Sequence, residues 1–335
     1  MHLRAYRPTG RARPVAVCDP DAARREAVAT EYGLRAYATA AEMLSIEKPD
    51  LVHITTPPSV RTGPMAEVSA AGTPACTVEK PLAIGVTDWK EIGRLSERTG
   101  TRFAVCHQFR WHEDLVRCRK ALSGGAMGAV RILDLSAGMN IANQGTHILD
   151  YGMALNGDTH VVRVFGETGR GTGGDPAHPG PDNCSAVLEF ANGARGVWVT
   201  GETAPRIGDP ATTWQHVRVA AFAERGWVEW QEFGRWTVIS PEGSWQGDYG
   251  GTPERWEEKN LAAQAAFHDA VLDWVEDPSR VPGTNLAQSL HEWKVVLALY
   301  HSSVTGKPVD VASFDPPDDF MERLDEHLGV TRPPA

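Results

Sequence analysis

The chain has 335 residues, 41% of them hydrophobic and 23% charged, with a formal net charge of -10. That length suits two domains, since single cores stop growing at about 250–300 residues. The acidic balance argues against a nucleic-acid or anionic-membrane partner, and no apolar run reaches the ~18 residues of a membrane span. The basic start MHLRAYRPTGRARP lacks the apolar stretch of a secretory signal. The five cysteines are an odd set with no C-x-x-C pair. Buried reduced thiols in a cytoplasmic protein are the expectation.

Residues 13–18 read as a strand and 19–33 as a helix closed by Gly33. A short strand at 34–37 and a helix at 41–46 follow. Residues 50–56 form a buried strand ending at Pro57-Pro58. The helix pattern at 59–72 contains Pro64, which predicts a kink or a late start. Strands at 74–79 and 102–107 flank an amphipathic helix at 86–99. Strands alternating with helices imply a parallel sheet covered on both faces.

The character changes after about residue 120. A long strand at 128–140 and a helix at 145–157 precede six strands with no helix between them: 160–168, 184–190, 194–203, 216–223, 226–231 and 235–240. Tight N-G, R-G and P-E-G turns predict antiparallel hairpins. Helices at 256–276 and 285–305 and an acidic, proline-flanked surface tail close the chain. The expected division is an α/β domain over 1–118 and an α+β domain over 119–335, with the last helices packing back on the first domain.

A dinucleotide domain opens with a strand, a G-x-G-x-x-G turn and a helix facing the pyrophosphate. Here the strand 13–18 ends at Asp19 with no glycine-rich turn. An acidic residue at the end of the second strand is the usual partner of the adenosine ribose. Asp19 fits that role, and it also fits as a helix cap. HLRAYRP then reads as the back of the first helix, with the first strand and phosphate loop expected upstream of Met1. The run Gly169–Gly174 matches G-x-G-x-x-G literally, but Pro176, Pro179 and Pro181 follow, so it reads as a mobile surface loop. His107 and His112 are separated by a strand-to-helix junction, and no metal is expected. The eleven tryptophans read mainly as filling of the large sheet's face or of a subunit interface.

Glu79-Lys80-Pro81 at a strand end, with VAVCDPD, DLVHITTPPSV, AAGTPACTVEKPLA, QGTHILD and LALYHSSVTGKPVDV, resembles the Gfo/Idh/MocA family of glucose–fructose oxidoreductase, inositol dehydrogenase and MocA. The resemblance covers nearly all of residues 1–310. It implies an α/β Rossmann-type parallel-sheet domain, N-terminally truncated, and an α+β domain with a large, mostly antiparallel sheet. It also implies an NAD(P)-dependent oxidoreductase that moves hydride between the nicotinamide and a hydroxyl of a sugar, nucleotide-sugar or cyclitol. Lys80 and His147 are then the catalytic residues. Asp19, Thr55, Thr56, Pro57, Glu79, Lys80 and Gln108 are expected at the cofactor. Arg110, Asn143, His147 and Asp150 are expected at the substrate, with a surface salt bridge as the other reading of Arg110. Asn143 stands where many members carry aspartate, so Lys80 and His147 would handle the proton without its charge. Asp19 favours NAD over NADP, because a carboxylate repels a 2′-phosphate. By analogy with the family, the large sheet would join a homodimer or homotetramer. An NAD-dependent glycosidase and a non-catalytic binding protein remain as alternatives.

Overall fold

The computed structural model describes residues 1–6, 10–170, 175–207 and 213–330. The first half contains α1 (His2–Ala5), β1 (Ala16–Cys18), α2 (Ala22–Tyr32), β2 (Arg35–Tyr37), α3 (Ala40–Glu47), β3 (Leu51–Ile54), α4 (Thr62–Ala70), β4 (Ala75–Glu79), α5 (Val86–Ser96), β5 (Arg102–Cys106) and α6 (Glu113–Ser123). Local chemistry sets several of these boundaries. The Asp21 carboxylate accepts from the Arg24 amide at 2.9 Å and starts α2, and Gly33 ends it in the left-handed region at φ 67°. Helix α4 starts late, after a single turn at Pro58–Val60, so Pro64 sits in its first turn. There the missing N–H has no intrahelical acceptor to lose.

All the pairings in this half are parallel. β1 pairs β2, and β3, β4 and β5 form a second sheet in that order. Among the described residues no strand bridges β1 to β3. Ala75, Cys76, Thr77 and Val78 of β4 are all buried, because helices cover both faces.

The second half contains β6 (Val130–Ala137), α7 (Thr146–Leu155), β7 (Val161–Gly169), β8 (Asn183–Phe190), β9 (Arg195–Thr200), β10 (Val217–Ala223), β11 (Gly226–Gln231), β12 (Arg235–Ser240), β13 (Gly243–Asp248), α8 (Pro253–Glu276), α9 (Leu286–Thr305), β14 (Val309–Asp310) and α10 (Phe320–Leu328). Its nine strands run β13-β12-β11-β10-β6-β9-β8-β7-β14. Every neighbouring pair is antiparallel except β6–β9. Burial alternates along β8 and β9, so one face is covered and the other faces solvent. Helices α7 and α9 lie on the covered face.

Helix α8 packs on α1, β4 and β5, while α9 packs on α5 and β5 at one end of the core and on β7 at the other. One apolar cluster therefore runs from Val52 and Val78 through Leu133 and Leu149 to Val296 and Leu299. The acidic tail, expected as a surface wrap, forms α10 and buries Phe320 and Leu324.

Strands approach closely at Gly166, which pairs Ala186 across β7 and β8. A Cβ there would stand 2.4 Å from the Ser185 carbonyl oxygen and 2.7 Å from the Ala186 Cα. Both are backbone atoms that cannot rotate away. Gly166→Ala should destabilise the fold by about 1–3 kcal/mol. Urea unfolding would check this, and an unchanged midpoint would contradict it.

Candidate active site

The three strands of the β3–β4–β5 sheet are parallel and end on the same side, presenting Thr55–Pro57 after β3, Lys80 after β4 and His107–Gln108 after β5, while Asp19 follows β1 of the separate β1–β2 pair. This carboxyl edge is where open α/β sheets bind ligands. Lys80 precedes a cis peptide to Pro81. Its Nζ donates to Asn143 Oδ1 at 2.8 Å, to the Asn143 carbonyl at 3.2 Å and to His178 Nε2 at 3.3 Å. Burial lowers the Lys80 pKa to about 8, against the opposing charges of Glu79, Asp175 and Glu232.

The acceptors of Lys80 are themselves held. Asn143 sits in a π-helical turn, Ile141–Gly145, begun by the Asn140 side chain accepting the Asn143 amide at 2.8 Å. Its Nδ2 donates to Asp175 Oδ2 at 2.8 Å. The same carboxylate oxygen lies 2.9 Å from His178 Nδ1. With Nδ1–H directed at Asp175, His178 keeps Nε2 as the acceptor for Lys80. Burial and the nearby Lys80 charge lower the His178 pKa, so the ring stays neutral. Arg61 is 1% exposed and bridges two strand ends, donating to the Thr56 carbonyl at 2.9 Å and to the Pro81 carbonyl.

A second buried network lies behind His147. His147 Nδ1 is 2.9 Å from His107 Nδ1 and 3.0 Å from the Tyr151 hydroxyl. His107 Nε2 lies 3.3 Å from Glu292 Oε2 on α9. Glu292 adjoins Asp150, whose Oδ1 accepts from Arg110 Nη1 at 2.8 Å. Arg110 also pairs with Asp158. Burial raises Asp150 to about 7 and Glu292 to about 8, although Arg110 pulls both down. Burial holds both histidines neutral, and the Lys80 charge lowers both further.

The model of the GFO_IDH_MocA oxidoreductase family, NAD-binding Rossmann fold, matches residues 1–107. A D-apiose dehydrogenase of Paraburkholderia graminis is 32% identical over 215 residues. That match covers 58% of this chain and 56% of the relative, so it spans little more than half of that protein's length. A D-apiose dehydrogenase of Rhizobium rhizogenes is 25% identical over 325 residues, 89% of this chain and 90% of the relative. The crystal structure of an oxidoreductase from Agrobacterium radiobacter, in complex with NAD+, L-tartaric acid and magnesium, has a TM-score of 0.79 at 21% identity. It covers 93% of this chain and 95% of that one, so the shared fold extends beyond the 107 residues that the family model matches.

The expected site residues fall in several different places. Lys80 and Asn143 meet directly. His147 is an electrostatic neighbour of Lys80, with no hydrogen bond between them. Arg110 and Asp150 are both buried and bound to each other, so the salt-bridge reading of Arg110 matches its contacts, with the pair in the interior and not at the surface. Gln108 donates to Asn260 on α8 at 3.1 Å, and Glu79 accepts from His2 at 2.8 Å. Asp19 Oδ1 accepts from the Asp21 amide at 2.9 Å, so it braces the turn before α2 while Asp21 is the cap.

Arg61, Asp175, His178, Glu232 and Glu292 went unnoticed in the sequence. Residues 171–174 of the glycine run lie outside the described residues. The following segment departs from a surface loop, because Asp175 and His178 turn inward to Asn143 and Lys80. The one local signal was an Asp-x-x-His spacing framed by prolines.

The raised carboxyl groups carry a pH signature. A folded-state pKa above the unfolded one gives stability that is full below the unfolded value and lost as pH rises through the folded value. For Glu292 that window runs from 4.5 to about 8. Glu292→Gln removes this proton and relieves its repulsion of Asp150. The variant's Tm should therefore fall less than the wild type's between about pH 5 and about pH 8. An equal fall in both proteins would count against the network.

Proposed function

We propose that this chain is an NAD-dependent dehydrogenase that exchanges hydride with a hydroxyl-bearing carbon of a carbohydrate-like substrate. The observation that carries this reading is Lys80: a desolvated amine at the carboxyl edge of the sheet, aimed by Asn143 and His178, with a pKa near 8. In its neutral form Lys80 accepts the substrate hydroxyl proton, and in its charged form it returns one. Asn143 and His178 fix its direction, and Asp175 holds both. His147 is the second proton-handling group, backed by His107 and the Glu292–Asp150 pair.

The residues present fit a nicotinamide cofactor at two positions. Asp19 offers a carboxylate after β1 for ribose hydroxyls. Thr56 has a buried hydroxyl without a hydrogen-bond partner after β3, a group that a ligand would satisfy. When bound, the nicotinamide supplies the hydride acceptor or donor. Two relatives named D-apiose dehydrogenase support a sugar substrate.

The reading extends to assembly. Phe165, Val187 and Val197 are consecutive cross-strand partners on the solvent face of the large sheet, beside Ile132 and Phe222. That apolar row suits a homodimer or homotetramer. Val187→Asp should lower the mass measured by light scattering, and a wild type that is already monomeric would contradict the idea. All five cysteines are free, which suits a reducing, cytoplasmic compartment. A disulfide found by thiol counting of freshly prepared protein would argue otherwise.

The direct test is reduction of NAD+ by the purified chain with a panel of sugars and cyclitols that includes D-apiose. Lys80→Met should lower kcat by about 10²–10⁴-fold while NADH still quenches the tryptophans. Failure of folded wild type to bind NADH would overturn the proposal. The oxidation rate should rise through about pH 8 as Lys80 loses its proton. Asp175 raises the Lys80 pKa by its charge. Asp175→Asn should therefore move that ionisation to lower pH, and a shift upward would contradict the assigned contact.

A further inference from the structure

We propose that His2, His53 and His268 form a binding site for a divalent transition-metal ion of the zinc class. The inference is independent of the dehydrogenase reading. The three rings come from α1, β3 and α8, and one ligand atom from each lies within 4.8 Å of the others. His2 Nδ1 and His268 Nε2 stand 3.0 Å apart. Two imidazoles on a tetrahedral zinc, with bonds of about 2.0–2.1 Å, hold their nitrogens roughly 3.3 Å apart. An ion between these two rings therefore needs only a few tenths of an ångström of opening, with His53 closing in from the third side.

Two of the three rings already have their outer partners, while His268 Nδ1 is buried without one among the described residues. Ligating histidines characteristically give their second nitrogen to a carboxylate or hydroxyl. His2 Nε2 lies 2.8 Å from Glu79 Oε1, which leaves Nδ1 as a lone pair toward His268. His53 Nδ1 is bonded to the Thr77 hydroxyl, which leaves Nε2 for the cluster, where it now contacts the Tyr6 hydroxyl at 2.6 Å. Tyr6 also stacks on His268 with centroids 4.3 Å apart, so its hydroxyl or a water is suited to the fourth position. The Gln264 amide lies 3.4 Å from His2 Nδ1 and 3.0 Å from His268 Nε2. Two nitrogens thus converge on one donor, and a cation would replace it.

Nitrogen donors of this kind suit zinc, cobalt, nickel or copper rather than magnesium or calcium.

The test uses the full chain without a histidine tag, stripped by a chelator and titrated with zinc chloride by calorimetry. The wild type should take up a single tight equivalent, and His2→Ala should bind at least about 10-fold more weakly. Cobalt should give the visible bands of a low-symmetry nitrogen site, lost in His53→Gln and His268→Gln. His2→Ala alters only the short α1, and a thermal melt establishes that it folds. No zinc uptake by folded wild type would overturn the site, as would uptake unchanged in His2→Ala. Neither measurement involves a nicotinamide, so the two readings can fail separately.

Discussion

Keeping an ammonium group desolvated at the end of β4 is the constraint on which the rest of the site depends. Burying such a charge costs several kcal/mol unless partners compensate. Lys80 finds them in Asn143 and His178, with Glu79, Asp175 and Glu232 supplying opposite charge. None of these partners but Glu79 belongs to the parallel sheet. They arrive on a π-helical turn, a proline-framed segment and the end of β11. The lysine can hold its place only if both halves of the molecule are docked.

A second constraint follows from the first. The asparagine beside Lys80 carries no charge, yet the site is not short of carboxylates. Asp175 acts through Asn143 and His178, one bond removed from the lysine. Behind His147, Asp150 and Glu292 press together under the guanidinium of Arg110. Glu232, bonded to the Trp256 indole at 3.0 Å, is raised to about 7 by burial. Several acids and bases thus sit near neutrality within one desolvated region, the condition that proton transfer at ordinary pH requires.

Much of this was legible in the sequence because it is written locally. The run Ala75–Glu79 has the β propensity and continuous apolar character of a central strand, and the helices carry their caps beside them. Lys80 could be read from its strand-end position and neighbours. What escaped was non-local. Strand β13 carries Gly243 and Gly247, and it forms because Trp236 of β12 lies against Gly247. The inward turn of Asp175 and His178 depends on residues more than thirty positions away. For Arg110 the ligand and salt-bridge readings both stayed open, because its own segment does not reveal the carboxylate on α7.

Helix α9 has a mechanical consequence. At about 1.5 Å per residue it is a rod of roughly 30 Å, laid against β5 at one end and β7 at the other. Its middle carries Glu292 into the proton network. A clamshell motion of the two sheets would have to bend this rod or drag a buried acid from its partners, and both are costly. The segment bearing Asp175 and His178 is held more lightly, by hydrogen bonds to Lys80, Asn143 and Asn140, so the charge that tunes the lysine rides on the least rigidly anchored partner it has.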